Sequence, residues 1–124
     1  GARVCDLTPE RHDQPVALIS HLPHLVAAAL VNVAAREDAA AFDVVGPGFR
    51  DTTRVASGSP GMWTEILTEN REAVLKSTEA MIAKLGEFAK LLRSAAPESE
   101  KLMNEFLTQA KAQRDRLRLH KTDA

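Results

Sequence analysis

Apolar residues recur along most of this chain at the three- and four-residue spacing of a helix face. Val16, Ala17 and Ile19, then Leu22, Leu25, Val26, Ala29, Leu30 and Val33, mark the first such stretch, which ends in the charged Arg36-Glu37-Asp38. Thr8-Pro9-Glu10 opens it with a hydroxyl N-cap, a proline at the first helical position and an acid in the first turn. Pro15 and Pro23 interrupt it. Pro23 lies too deep to be an N-terminal proline, so the spacing predicts a kink or break near residues 20–22. The carbonyl of Ile19 then loses its donor, and Ser20 caps the helix that resumes.

Gly46-Pro47-Gly48 is the clearest turn signal, and residues 49–56 read as a short helix closed by Ser57-Gly58-Ser59-Pro60. From Gly61 the helical period runs almost unbroken to Ala95. Val74, Met81 and Phe88 stand seven apart, as do Leu85 and Leu92, with Leu75, Ile82 and Ala89 alongside. Ala96-Pro97-Glu98 breaks and restarts the pattern. Leu102, Met103, Phe106, Leu107 and Ala110 line a last helix expected to fray over residues 114–121. The reading is all-α, with long antiparallel helices. A single helix of ~35 residues would extend ~50 Å, more than one small domain needs, which points to a homodimer. Only the first seven residues, which alternate weakly, suggest a strand. They are too few for a sheet and read as an orphan strand from an upstream domain, leaving residues 8–124 as the helical domain.

Composition narrows the function without naming it. At 124 residues, 44% hydrophobic and 27% charged, the chain is the size of one soluble domain with a single core. Aromatics make up 4% and Tyr is absent, so that core must come from Leu, Val, Ala and Met. Sixteen basic residues against seventeen acidic give a net charge of −1, so no global charge recruits nucleic acid or an anionic membrane. Cys5 has no second cysteine for a disulfide or zinc site and fits a reducing compartment. The apolar run at residues 22–33 falls short of a ~20-residue membrane span, and no basic leader opens the chain, so a cytoplasmic location is expected.

Two polar clusters carry candidate chemistry. The first is His12-Asp13 followed by Ser20-His21-Leu22-Pro23-His24. At i and i+3 the imidazoles of His21 and His24 share a helix face. A metal site, hydrogen bonds at a helix junction, and donation to an anion all fit that placement, although no carboxylate-rich metal motif accompanies it. Ser20 lacks the glycine elbow of a nucleophile and an acid to orient a histidine. The second cluster is Gly48-Phe49-Arg50-Asp51-Thr52-Thr53-Arg54, followed by Met62-Trp63. Arg50 and Arg54, four apart, offer two planar forks for carboxylates beside a turn whose N–H groups suit an anion. The alternative is a solvated helix with the arginines paired to Asp51 or Glu65. Trp63 is a core residue or the wall of a ring-binding pocket. The basic run at residues 111–121 is interrupted by Asp115 and reads as a solvated face.

Taken together, His12-Asp13, Ser20-His21-Leu22-Pro23-His24, Gly48-Phe49-Arg50-Asp51-Thr52-Thr53-Arg54-Val55-Ala56, Pro60, Met62-Trp63 and Asn70 resemble the prephenate dehydrogenase family, arogenate dehydrogenases included. Their order and spacing match the family's C-terminal domain over essentially the whole chain. The resemblance implies an enzyme of tyrosine biosynthesis that oxidatively decarboxylates prephenate to 4-hydroxyphenylpyruvate with NAD or NADP. It further implies an N-terminal Rossmann domain, a dimerising helical domain, and an active site between them. Gly1-Ala2-Arg3-Val4 matches the stretch leaving the Rossmann sheet. No G-x-G-x-x-G is present, and the family's catalytic histidine and its partner serine belong to that other domain, so this fragment is expected to bind no nucleotide tightly and to be inactive alone.

By position in the motif, Arg54 grips the ring carboxylate and Arg50, where the family often has lysine, serves the side-chain carboxylate. His24 donates to the substrate or to the inhibitor tyrosine. His12 and His21 support it, Asp51 closes or orients the pocket, and Trp63 reaches the neighbouring subunit's site. A bare dimerisation module and a free-standing helical ligand-binding protein are the competing readings.

Overall fold

The computed structural model describes the backbone of residues 9–123 and the side chains of residues 13–117; the expected orphan strand at 1–7, Cys5 included, lies outside the described residues. Six α-helices account for most of the described backbone, with no strand among them: α1 (Pro9–Val16), α2 (Leu22–Glu37), α3 (Pro47–Thr53), α4 (Pro60–Glu69), α5 (Arg71–Arg93) and α6 (Pro97–Asp123). The all-α reading holds. Two compact units divide the chain, residues 1–80 and 81–124.

In the first unit the kink or break expected near residues 20–22 takes the form of a π turn. A π turn, Ala17–His21, joins α1 to α2, and the Leu22 N–H bonds to the Ala17 carbonyl five residues back. Proline has no N–H to return to Ile19, and widening the register by one residue absorbs that loss without ending the helix. Ser20 therefore caps nothing. His21 precedes α2, its side chain makes no capping bond, and Ser20 is exposed. The resulting helix over Asp13–Glu37 is long and apolar enough to cross a membrane on length and composition. Its buried positions are Ala17, His21, Leu22, His24 and Ala27, and α3 and two 3₁₀ turns, Ala39–Val44 and Arg54–Ser57, pack against α2. Two buried histidines and these partners make it the central helix of a folded unit.

The helix read as continuous over 61–95 is two helices. Asn70, at φ −114° and ψ 37°, ends α4 and admits α5. Its side chain donates to the Asp13 carbonyl at 3.0 Å, a bond from side chain to distant backbone that competes with the local ladder. Close by, Gln14 Nε2 donates to Ser77 Oγ at 3.3 Å, with Ser77 1% exposed. Residues 57–60 behave as expected: Ser59 Oγ accepts from the Met62 N–H at 3.3 Å, and Pro60 takes the first helical position.

In the second unit, α5 turns into α6 through residues 94–96. Ser94 Oγ accepts from the Ala96 N–H at 3.2 Å, and Ser99 Oγ donates to the Ala96 carbonyl at 2.7 Å. The rings of Phe88 and Phe106 meet edge to face at 5.1 Å. α6 continues to Asp123 without the expected fraying. Two exposed ion pairs, Lys84–Glu87 at 3.1 Å and Lys111–Asp115 at 2.8 Å, add little stability.

The expected core of large aliphatic residues does not form within one chain. Among the described residues, the buried apolar set is Ala17, Leu22 and Ala27. Leu75, Ile82, Leu85 and Leu92 of α5 are 57–66% exposed, as are Leu107 and Leu117 of α6 at 59% and 58%. The apolar stripe of the sequence is present and stays largely exposed among the described residues.

Candidate functional site

The two histidines owe their positions to the π turn. His21 closes it and His24 stands in the first turn of α2. Both are 8% exposed. The His24 ring lies almost parallel on the Trp63 indole, centroids 3.8 Å apart and planes 13° apart, and His21 meets the same indole edge-on at 6.3 Å. Trp63 reaches them from the first turns of α4, whose start is fixed by the Ser59 cap and by the Trp63 N–H bonding the Ser59 carbonyl at 3.0 Å. The tryptophan is therefore engaged by the histidines of its own chain.

Gly58 makes this stack possible. A Cβ there would lie 2.9 Å from Trp63 Nε1, 3.1 Å from Trp63 Cδ1 and 3.2 Å from His24 Cε1. Three ring atoms at once leave no easy relaxation. Gly58→Ala is expected to lower the denaturation midpoint of the intact protein by an amount equivalent to about 1–3 kcal/mol. Gly61→Ala, where a Cβ would meet nothing within 4 Å, should not. Equal midpoints for the two variants would mean the stack yields freely.

His24 Nδ1 is fully buried and has no hydrogen-bond partner among the described residues. Such an atom carries a desolvation cost unless something outside this chain meets it. His21 Nδ1, by contrast, lies 3.3 Å from Asn70 Nδ2.

The arginines occupy a second place. The helix expected at 49–56 starts earlier and changes type: α3 spans Pro47–Thr53, and the 3₁₀ turn Arg54–Ser57 follows. Thr53 Oγ1 donates back to the Phe49 carbonyl at 2.7 Å, tightening the junction. Arg50 and Arg54 line one cleft of about 370 Å³ with Val31, Phe42, Phe49 and Thr53, and the rings of Phe42 and Phe49 stand 6.0 Å apart. Neither arginine has an ion pair among the described residues, so the alternative of pairing with Asp51 or Glu65 is not realised. Two unpaired guanidiniums beside two phenyl rings are complementary to a ring bearing carboxylates.

Six of the seven residues singled out in the sequence have described side chains. Arg50 and Arg54 share the cleft; His21, His24 and Trp63 share the ring cluster, joined to the cleft by the turn Arg54–Ser57 and Gly58. Asp51 is exposed and lines neither. His12 lies in α1 with its side chain outside the described residues. No group of three or more His, Cys, Asp and Glu side chains able to hold a metal occurs among the described residues. The Gly58 requirement escaped the sequence reading, since one glycine in a Ser-Gly-Ser-Pro turn looks like any other.

The sequence profile of the prephenate dehydrogenase dimerization domain matches residues 8–109. The chain belongs to this family. Prephenate dehydrogenase of Bacillus subtilis is 34% identical over all of this chain and 33% of its own length. Cyclohexadienyl dehydrogenase of Zymomonas mobilis is 36% identical over 90% of this chain and 39% of its own. Among solved structures, prephenate dehydrogenase from A. aeolicus in complex with hydroxyphenyl propionate and NAD+ superposes with a TM-score of 0.79 at 35% identity, over 90% of this chain and 39% of that one. Synechocystis arogenate dehydrogenase gives 0.77 at 38% identity, over 90% and 41%. The chain thus spans between a third and two fifths of these relatives.

Proposed function

We propose that this chain is the dimerising and substrate-gripping part of a dehydrogenase that converts prephenate, or its amino counterpart arogenate, by coupled hydride loss and decarboxylation. The observation that carries the reading is the unpaired Arg50–Arg54 pair in a cleft walled by Phe42 and Phe49. Arg54 holds the ring carboxylate by its planar fork, and Arg50 holds the side-chain carboxylate. Fixing both ends of the substrate orients the ring so that the C–C bond to the departing carboxylate stays aligned with the developing aromatic system. His24, braced on Trp63, donates to the substrate or to the inhibitor tyrosine. Tyrosine, with its phenol and carboxylate, is the inhibitor suited to the same cleft.

NAD or NADP accepts the hydride when bound. The relatives extend well beyond the part of their length that this chain matches, and the reading gives the dinucleotide to a part of the enzyme outside that match. The base that takes the hydroxyl proton belongs there too. The intact enzyme is a homodimer, working in the cytoplasm.

Prephenate and arogenate differ at the keto or amino group next to the side-chain carboxylate, so the discriminating experiment is a pair of kcat/KM values for the intact protein with each substrate. Reduction of nucleotide with at least one of them is expected, and none by the isolated chain. Turnover by the isolated chain would place the nucleotide and the base within these residues and overturn the division of labour.

A further inference from the structure

The cluster around His21 contains a tautomer lock. Asn70 Nδ2 lies 3.0 Å from the Asp13 main-chain oxygen and 3.3 Å from His21 Nδ1. A carbonyl oxygen can only accept, so the group facing it must be the NH₂ end of the amide, which fixes the Asn70 orientation that density or distance alone leaves ambiguous. That NH₂ has two hydrogens. One goes to Asp13, and the other points to His21 Nδ1, which must then offer a lone pair. The proton of a neutral His21 therefore sits on Nε2.

We infer that Asn70 is a positioning residue that holds His21 as the Nε2–H tautomer, making Nε2–H a fixed donor to an oxygen of the bound ligand. The inference rests on the substrate-binding reading for the identity of that ligand, but the lock itself does not. His21 Nε2 has no hydrogen-bond partner among the described residues, so its donor is free for an outside acceptor. The edge-on contact with Trp63 at 6.3 Å helps fix the ring plane. The break between α4 and α5 acquires a purpose. It frees Asn70 from the helical ladder at the one place where its amide spans α1 and the π turn. Among the described residues, His21 meets the Asn70 amide and the Trp63 ring, both neutral, while Asp13, Glu72 and Lys76 share a pocket with Asn70 on its other side.

The test is two-bond ¹H–¹⁵N correlation spectroscopy of the intact protein with ¹⁵N-labelled histidine, with His21 assigned by its loss in His21→Gln. The Nε2–H pattern is expected in the parent protein, and a mixed or Nδ1–H pattern in Asn70→Ala and Asn70→Asp. Asn70→Asp replaces the donor by an acceptor and should favour Nδ1–H most strongly. An Nδ1–H pattern in the parent, or an unchanged pattern in a folded Asn70→Ala, would overturn the inference. If neither variant folds, the parent spectrum still decides. In steady-state assays Asn70→Ala should raise KM about tenfold, the loss of one well-oriented hydrogen bond to a charged or strongly polar oxygen, with kcat moving less. An Nε2–H pattern together with no turnover of prephenate or arogenate would leave the lock in place and overturn the substrate reading instead.

Discussion

Arg54→Ala in the intact protein is expected to lower kcat/KM for the cyclohexadiene substrate by at least about tenfold, with KM rising. A charged hydrogen bond of about 1.5–3 kcal/mol is lost, and 1.4 kcal/mol corresponds to a factor of ten. Arg50 lines the same cleft but is committed to the side-chain carboxylate. Arg54 has no ion pair among the described residues, so its charge is not committed to the fold, and it lies in an exposed 3₁₀ turn where removal creates no buried void. The unfolding midpoint should therefore stay put while catalysis falls. Arg54→Lys should restore only part of the loss, because an ammonium cannot make the paired parallel bonds of a guanidinium. An unchanged kcat/KM in Arg54→Ala would remove this residue from the site.

Ile82→Asp combined with Leu85→Asp is expected to turn the intact protein from dimer to monomer in sedimentation at micromolar concentration. Ile82 and Leu85 are 63% and 61% exposed in the chain, and Leu75 and Leu92 extend the same apolar stripe at 57% and 66%. Burying a large aliphatic side chain against a second subunit contributes about 1.5–3 kcal/mol, and two such positions in each subunit make four per dimer. Losing them and burying carboxylates in their place is enough to dissociate a micromolar or nanomolar complex. Activity should fall with the dimer, because so small a self-contained core cannot hold α5 and α6 in place alone. A dimer that persists in the double variant would assign the exposed stripe to some other partner.

How much of this was legible beforehand depends on where each cause lies. The helices announced themselves through periodicity, and the boundaries at Gly46-Pro47, Ser57 to Pro60 and Ala96-Pro97 were set by residues whose backbone chemistry is local. The break at Asn70 was not legible, because its cause is the Asp13 carbonyl, 57 positions away. Pro23 told correctly that one helical bond must be missing. Whether the helix would kink, break or widen is not contained in the local rule, and here it widens by one residue. The apolar stripe on α5 is legible in the sequence, but the length of one unbroken helix is the wrong argument for a dimer, since Asn70 divides that helix. Exposed leucines on a shorter helix are the better one.

For the site, the sequence singled out the right chemical types but grouped them by proximity along the chain. Space separates them differently: Arg50 and Arg54 go to a cleft with Phe42, which nothing in the sequence tied to them, while Asp51 between them faces solvent. His21 and His24 share a face, as i and i+3 must, yet end in unlike states, one with Nδ1 against the Asn70 amide and one whose Nδ1 has no partner among the described residues.

The most direct measurement on the central claim is stoichiometric. The intact protein is given prephenate labelled with carbon-14 in the ring carboxylate, together with oxidised nucleotide, and released carbon dioxide is counted against reduced nucleotide. One labelled carbon dioxide for each nucleotide reduced is the predicted result. Nucleotide reduction without label release, or neither signal with prephenate and with arogenate labelled at the same carbon, would contradict a site built to grip that carboxylate until it leaves.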